Sequence, residues 1–286
     1  MIRVLVTGAT GFLGGHVLAR MPAGCEVEVF ARGTSDTAHL PAGTKVHVGD
    51  LSDADSLAKA LAGVDALLNL ASLGFGHAPP ILEACRRARV PRAVFIGTTA
   101  VFTKLPARTK PIRLEAERLI AASGLASTLL RPTMIYGTPG DRNVWRLIRF
   151  VRRSPVVPLP PAAGRQQPVY VGDVANAVWT VLENPATIGH AYNIGGADAF
   201  SMREMVQIVC RVLGKSRVIV RVPGVLAAAV CAASARVPFF PRISTEQLAR
   251  LAEDKSVDNG PARDAFGHAP IRFEEGVRRE IAAERR

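Results

Sequence analysis

Thr7-Gly8-Ala9-Thr10-Gly11-Phe12-Leu13-Gly14 follows directly on an apolar, β-branched run at residues 2–6. Such a run predicts a buried strand, and the stretch after it predicts a glycine-rich turn opening a helix. The glycines fall at a G-x-x-G-x-x-G spacing. Gly8 permits a tight turn, Gly11 permits the backbone to approach a phosphate, and Gly14 permits the helix to pack close to the strand. N–H groups at the helix start, aided by the helix dipole, then face a pyrophosphate. An ordinary glycine-rich strand–helix turn has the same local look, so the context must decide.

The context is an alternation. Apolar runs Val27-Glu28-Val29-Phe30, Lys45-Val46-His47-Val48, Ala66-Leu67-Leu68-Asn69-Leu70 and Ala93-Val94-Phe95-Ile96 read as strands, with another at residues 127–130. Helical patterns separate most of them, near 12–20, 53–61, 77–89 and 112–123. Strand–helix alternation predicts a parallel sheet covered on both faces. Right-handed crossovers make it an α/β, Rossmann-type doubly wound sheet. Residues 1–131 plus 168–196 are expected to form the dinucleotide-binding domain. Residues 132–167 plus 197–286 are expected to form a smaller, mostly C-terminal substrate lobe. Within it, Ser201-Met202-Arg203-Glu204 reads as a capping box opening a helix to about Leu213, and residues 155–168 read as a loop between lobes.

Several motifs in order give the chain a resemblance to the extended short-chain dehydrogenase/reductases, the NAD(P)-dependent epimerase/dehydratase group. TGATGFLG resembles the family's T-G-x-x-G-x-x-G, and Gly49-Asp50-Leu51 its G-D-L, where the aspartate contacts adenine. Asn69-Leu70-Ala71 is similar to the segment lining the cofactor. Leu130-Arg131-Pro132 with Ile135-Tyr136-Gly137, Val171-Gly172-Asp173-Val174-Ala175 and Tyr192-Asn193-Ile194-Gly195-Gly196 match three further motifs. The resemblance implies a cofactor site of Gly8, Thr10, Gly11, Phe12, Leu13, Gly14, Arg32, Asp50, Leu51, Leu70, Ala71, Arg113 and Pro132, with Tyr136 at the substrate.

One family feature is missing. The catalytic tyrosine, with a lysine four residues later, suits proton transfer near neutral pH. This chain has 3 tyrosines, Tyr136, Tyr170 and Tyr192, and Gly140, Val174 and Gly196 follow at that distance. Placing Glu117 on the family's glutamate puts Thr109 at the tyrosine position and Arg113 at the lysine position. Arginine stays charged and cannot shuttle a proton, though it can hydrogen-bond a ribose. Thr98, at the end of the fifth strand, matches the family's third catalytic member. The candidate catalytic set is therefore Thr98, Lys110 and Arg113. Lys104 and Lys110, after the fifth strand, are candidate replacement acids, with plain surface lysines as the alternative; Glu115 and His77 are weaker ones. The resemblance is thus to an atypical member.

Cofactor preference turns on the end of the second strand, Phe30-Ala31-Arg32-Gly33-Thr34-Ser35, where no acid precedes Asp36. A carboxylate there would hold the 2′-hydroxyl of NAD, whereas an arginine accommodates the 2′-phosphate of NADP. NADP(H) is preferred, and NAD(H) stays open.

The 286 residues allow a large core, and the formal net charge is +12. No helix-turn-helix, zinc-finger spacing or stacking aromatics point to nucleic acid. Phosphate- or sugar-bearing small molecules fit the charge better. The helix expected after Asp141 carries Arg142, Arg146, Arg149 and Arg153 on one stripe. Three readings stay open: a solvated face, contacts from Arg142 or Arg146 to a substrate diphosphate, or docking on an anionic membrane. Arg165, beside Gln166, is a further substrate candidate. The 4 cysteines show no metal-ligand spacing with histidine, so no metal is expected and a reducing, cytoplasmic setting is. Neither a signal peptide nor a transmembrane segment is read; residues 225–235 are too short to span and read as a buried or interface helix. A homodimer is one expected assembly. The resemblance, with its missing catalytic pair, implies two functions. One is an NADP(H)-dependent epimerase/dehydratase-like oxidoreductase acting on a nucleotide sugar or related polar metabolite. The other is a non-catalytic NADPH-binding assembly or sensor protein, similar to the dinucleotide-binding accessory subunit of respiratory complex I.

Overall fold

In the computed structural model, residues 1–141, 143–159, 164–223 and 250–284 are described. Residues 225–235 and Arg142 fall outside them. β1 (Ile2–Thr7), β2 (Cys25–Ala31), β3 (Lys45–Val48), β4 (Ala66–Asn69), β5 (Arg92–Ile96), β6 (Ser127–Pro132) and β10 (Ala191–Ile194) form a 7-stranded sheet. Its order is β10-β6-β5-β4-β1-β2-β3, and every pairing is parallel. The order reverses between β1 and β4, the place where a doubly wound sheet leaves a crevice.

Helices cover both faces because successive strand residues point to opposite sides. In β1, Val4 and Val6 pack with α1 (Phe12–Leu18) and α6 (Val171–Glu183), through Val17, Val174 and Val178. Leu5 points the other way, toward Leu57 of α2 (Ala54–Ala60) and Ile81 of α3 (Ala78–Ala88). Ala116 and Ile120 of α4 (Lys110–Ala122) complete that layer. Each such aliphatic side chain stabilises the fold by about 1.5–3 kcal/mol on burial.

A third core lies apart from the sheet. Trp145 and Ile148 of α5 (Val144–Arg153), Met205 and Val209 of α7 (Met202–Leu213), and Phe273 and Val277 of α9 (Phe273–Ala283) enclose it. The capping box is present: the Glu204 N–H donates to Ser201 Oγ and the Ser201 N–H to Glu204 Oε2. β7 (Ile135–Tyr136) pairs with β9 (Val169–Tyr170) beneath this core. Part of the expected 155–168 loop is instead a strand, β8 (Val156–Leu159), paired in parallel with β11 (Val218–Arg221). The prolines flanking it had masked a short valine run that finds its partner some sixty residues on, a pairing no local pattern signals. α8 (Gly260–Phe266) returns the chain to the sheet, with Ala262 in the first core.

Two buried carboxyls titrate in opposite senses. Burial would raise Glu28 of β2, but hydrogen bonds from Arg3 (2.8 Å), His47 (2.5 Å) and Lys45 (3.1 Å) outweigh it and hold the group at about 2. Glu280 of α9 is fully buried and neither carboxyl oxygen has a hydrogen-bond partner. Burial first, and the neighbouring Asp141 carboxylate second, push it up to about 10. Glu280 is therefore neutral in the folded protein at pH 7. Because the unfolded chain releases that proton near pH 4.5, folded stability is drained progressively as pH rises from about 4.5 toward 10. Glu280→Gln is expected to raise the melting temperature at pH 8.5 by more than at pH 4.5; equal shifts at the two pH values would count against this assignment.

Candidate cofactor and active site

β1 ends at Thr7 in the crevice between β2 and β4. Gly8 follows with φ +71°, a left-handed conformation that glycine alone adopts at no cost. A Cβ on Gly8 would lie 2.7 Å from the Ala71 N and 2.9 Å from the Leu70 carbonyl carbon. The glycine turn and the Leu70-Ala71 segment thus meet backbone to backbone. Around them the Leu70 N–H donates to the Thr7 carbonyl (3.1 Å), Thr7 Oγ1 to Asn69 Oδ1 (2.8 Å), and Asn69 Nδ2 to the Ala71 carbonyl (3.1 Å). Gly11 closes the turn onto the Gly8 carbonyl at 3.0 Å. Gly14 meets Ala9 so closely that a Cβ would sit 2.1 Å from its carbonyl oxygen. The first-turn N–H groups of Phe12 and Leu13 have no carbonyl four residues back inside the helix. The Leu13 side chain is buried, so its contribution here is its backbone; Thr10 and Phe12 are half-buried. This is a side-chain-free cradle of the kind a pyrophosphate fits.

Arg32 is exposed just past the end of β2 and pairs with no carboxylate among the described residues. Glu28 is committed within the strand, and the first acid after its end in the sequence is Asp36. Past β3, the Gly49 N–H donates to the Ala31 carbonyl at 3.0 Å and brings Asp50 and Leu51 beside the second strand. Asp50 accepts hydrogen bonds from Ser52 Oγ (2.6 Å) and the Ser52 N–H (2.8 Å), which hold it below the usual carboxylate range, with the charges of His77 and Arg32 adding to the effect.

On the other side of β4, Leu70, Ser72, Ile96, Thr98, Arg113 and Glu117 line a cleft of about 170 Å³. Thr98 lies two residues past β5 and accepts the Ala100 N–H on its hydroxyl oxygen at 3.2 Å. Arg113 and Glu117 lie four residues apart on one face of α4. Glu117 is gripped by Arg131, Nη2 at 2.8 Å and Nε at 3.0 Å. Arg113 is half-buried and has no ion pair among the described residues; burial, with the nearby charge of Arg250, pushes its pKa down. The cleft therefore holds a hydroxyl, a neutralised carboxylate and an uncompensated guanidinium.

Other expected residues lie elsewhere. The Lys110 ammonium donates to the Thr103 carbonyl at 2.6 Å, and Lys110 does not line the cleft. Lys104 is exposed, with its backbone N–H donating to Glu253 at 2.5 Å. The expectation that either stands ready as a replacement acid is corrected: loop contacts absorb the first and solvent the second. Tyr136 is buried, its hydroxyl donates to the Phe273 carbonyl at 3.3 Å, and burial pushes its pKa up. Its side chain belongs to the third core, not to a substrate surface. Arg165 donates to the Ala199 carbonyl and lies 3.9 Å from Glu204, so it is spent on the chain. Arg146, Arg149 and Arg153 are exposed on α5, opposite the buried Val144, Ile148 and Val151. Asp141 stands ahead of the helix, with Asn143 at the N-cap position; its carboxylate accepts the Asn143 N–H at 2.6 Å and the Trp145 N–H at 3.3 Å. Pro132 ends β6, and its carbonyl accepts from Thr99 Oγ1 at 3.4 Å. No grouping of histidine, cysteine or acidic residues fit for a metal occurs among the described residues, and no described helix is long and apolar enough to cross a membrane.

Sequence reasoning missed the segment at residues 253–259, which returns from far along the chain to this end of the sheet. Glu253 accepts from Thr103 Oγ1 at 2.6 Å, the Val257 N–H donates to Gln167 at 2.7 Å, and Asn259 accepts the Gly195 N–H at 2.8 Å. Glu253-Asp254-Lys255-Ser256-Val257-Asp258-Asn259 contains a single apolar residue, so no hydrophobic pattern signalled the segment.

The NAD dependent epimerase/dehydratase family model matches residues 4–195. The chain is 28% identical over 255 residues to NADH dehydrogenase (ubiquinone) 1 alpha subcomplex subunit 9, mitochondrial, of Arabidopsis thaliana, covering 79% of this chain and 62% of that subunit's length. It is 29% identical to the 2-alkyl-3-oxoalkanoate reductase of Stenotrophomonas maltophilia, covering 97% of this chain and 98% of the reductase. Among solved structures, the UDP-glucose 4-epimerase of Thermus thermophilus in complex with NAD superimposes with a TM-score of 0.72 at 24% identity, over 99% of each chain; at that identity the likeness is one of fold.

Gly8→Ala is expected to lower the melting temperature by placing a methyl against the Ala71 backbone in a left-handed conformation, at about 1–2 kcal/mol for the backbone alone. It should also abolish any dinucleotide-induced thermal shift. Gly15→Ala is the control, because a Cβ there meets nothing within 4 Å; an intact shift in the Gly8 variant would refute the cradle.

Proposed function

Because the chain belongs to the NAD dependent epimerase/dehydratase family, we propose that it is an oxidoreductase that binds a nicotinamide dinucleotide, NADP(H) in preference to NAD(H), and acts on a nucleotide sugar or a related polar metabolite. The observation carrying this reading is the backbone contact of Gly8 with Leu70-Ala71 at the sheet's reversal point. A dinucleotide laid over that contact would run from Arg32 and Asp50 at one end to the Thr98 cleft at the other. Gly8, Thr10, Gly11, Phe12, Leu13 and Gly14 would hold the pyrophosphate, and Asp50 and Leu51 the adenine. Arg32 would meet a 2′-phosphate with a two-pronged hydrogen bond. Leu70, Ala71, Pro132 and Arg113 would border the nicotinamide half. A bound nicotinamide would supply or accept hydride at a substrate carbon beside Thr98. The Thr98 hydroxyl orients the substrate oxygen, and Arg113 offers a fixed positive charge to a ribose hydroxyl or to negative charge developing on that oxygen.

The second reading, a non-catalytic NADPH-binding assembly or sensor protein, is favoured by Thr109 and Arg113 standing where the resemblance places tyrosine and lysine. The likeness to the mitochondrial subunit supports it too.

NADPH at a hundredfold excess over its dissociation constant should stabilise the protein by about 2.7 kcal/mol. The melting temperature should rise more with NADPH than with NADH, and Arg32→Glu should reverse that order. If neither coenzyme moves it, the dinucleotide reading is wrong. Thr98→Ala should slow reduction of a UDP-4-keto-sugar or a 3-oxoalkanoate at least tenfold while leaving the NADPH shift unchanged. NADPH binding with no turnover of any keto compound in the wild-type protein would favour the non-catalytic reading.

A further inference from the structure

Residues 253–259 form an extended strap across the carboxyl ends of the strands. Residues 253, 255, 257 and 259 are half-buried and 254, 256 and 258 exposed, the period of an extended chain with one side facing the protein. The inward residues are anchored at both ends. Glu253 holds Thr103 and Lys104, past the end of β5. Asn259 holds Gly195 and Gly196, past the end of β10. β6 lies between those two strands in the sheet. The middle of the strap therefore lies over the ends of β5 and β6, from which Thr98 and Pro132 emerge. The Lys255 N–H donates to the Arg165 carbonyl at 2.8 Å, which fixes the backbone at that point.

Lys255 is inward-facing and half-buried, and its ammonium makes no hydrogen bond or ion pair among the described residues. A half-buried lysine of this kind normally finds an acceptor. Burial pushes its pKa down, Glu253 opposes, and Arg250 adds to the lowering. Arg250 acts in the same way on Arg113 of the cleft. Glu253 and Arg250 are the charged groups that act on Lys255; Lys104 and Arg165 are held beside the strap by their backbone.

Resting on the dinucleotide reading above, we propose that Lys255 is a catalytic residue, the proton donor to the substrate oxygen in place of the missing tyrosine. When a substrate carbonyl carbon accepts hydride from a reduced nicotinamide dinucleotide, the C–O π pair moves to oxygen. That oxygen takes a proton from the Lys255 ammonium, the products are an alcohol and the oxidised dinucleotide, and water reprotonates the neutral amine. In the oxidative direction the neutral amine removes the hydroxyl proton. Arg113 cannot serve, since guanidinium does not give up its proton, and Lys110 is bound to Thr103.

Acetic anhydride labelling of the unliganded protein across a pH series, read by mass spectrometry, should show Lys255 reacting with a midpoint below that of Nα-acetyl-lysine added as an internal reference. A common midpoint overturns the proposal. Lys255→Arg and Lys255→Met should both retain the NADPH-induced melting shift and slow single-turnover reduction of a UDP-4-keto-sugar or a 3-oxoalkanoate by about a hundredfold or more. Unimpaired reduction by the arginine variant would mean that charge, not proton donation, matters, and would also overturn it. A wild-type protein that binds NADPH but reduces neither compound overturns it in favour of the non-catalytic reading. A wild-type protein with no NADPH shift removes the dinucleotide reading itself, through a measurement separate from the labelling.

Discussion

The backbone of Gly8 lies against Leu70-Ala71 with no room for a methyl group between them, and the arrangement of this end of the molecule follows from that contact. It sets how far β1 and β4 run side by side before the chain leaves the sheet. It also fixes where α1 begins, because Gly11 folds back on the Gly8 carbonyl. The Thr7–Asn69–Ala71 hydrogen bonds act as a buried polar clamp on the same junction. Leu70 lies on both sides of the consequence: it follows the clamp and lines the Thr98 cleft. The glycine turn and the Thr98 cleft are thereby joined through one short stretch of main chain.

Charge is distributed unevenly around that junction. Glu117 could have offered a carboxylate to the cleft, but Arg131 grips it and also lies over the Phe102 ring, 5.6 Å from its centroid. Arg113 keeps its charge without a partner carboxylate among the described residues. A half-buried site with excess positive charge is poorly suited to a bare cation and well suited to phosphate oxygens, ribose hydroxyls or an oxygen gaining negative charge. On the proposed reading, Thr109 and Arg113 at the positions that the resemblance gives to tyrosine and lysine would leave a fixed charge where a proton-transferring pair is expected.

The third core shows how the remaining chain is recruited. α5, α7 and α9 pack around Tyr136, Ile148 and Met205, and this consumes the tyrosine that motif reasoning had assigned to substrate. The basic stripe of α5 then points outward as the mirror image of its apolar face, which is what amphipathic packing requires with or without a ligand. The neutral carboxyl of Glu280 within the same packing weakens this part of the protein as pH rises, in contrast to Glu28 of the sheet, whose hydrogen bonds from Arg3, His47 and Lys45 keep it ionised.

The sequence by itself determined the parallel α/β sheet, its strands and most of its helices, because apolar periodicity and glycine spacing act within a few residues of each other. It also determined which short segments meet at the carboxyl ends of the strands: the 8–14 turn, Asp50, Leu70-Ala71 and Thr98 each follow a strand of a sheet whose order is set by handedness. Tertiary structure alone decided the β8–β11 pairing, the burial of Tyr136, the capture of Lys110 by Thr103 and the return of residues 253–259 across the strand ends. Each of these rests on a contact between residues distant in sequence or on the choice a long side chain makes among acceptors. Local pattern carries no information about either, because the free energies involved exist only once the two partners share one desolvated place.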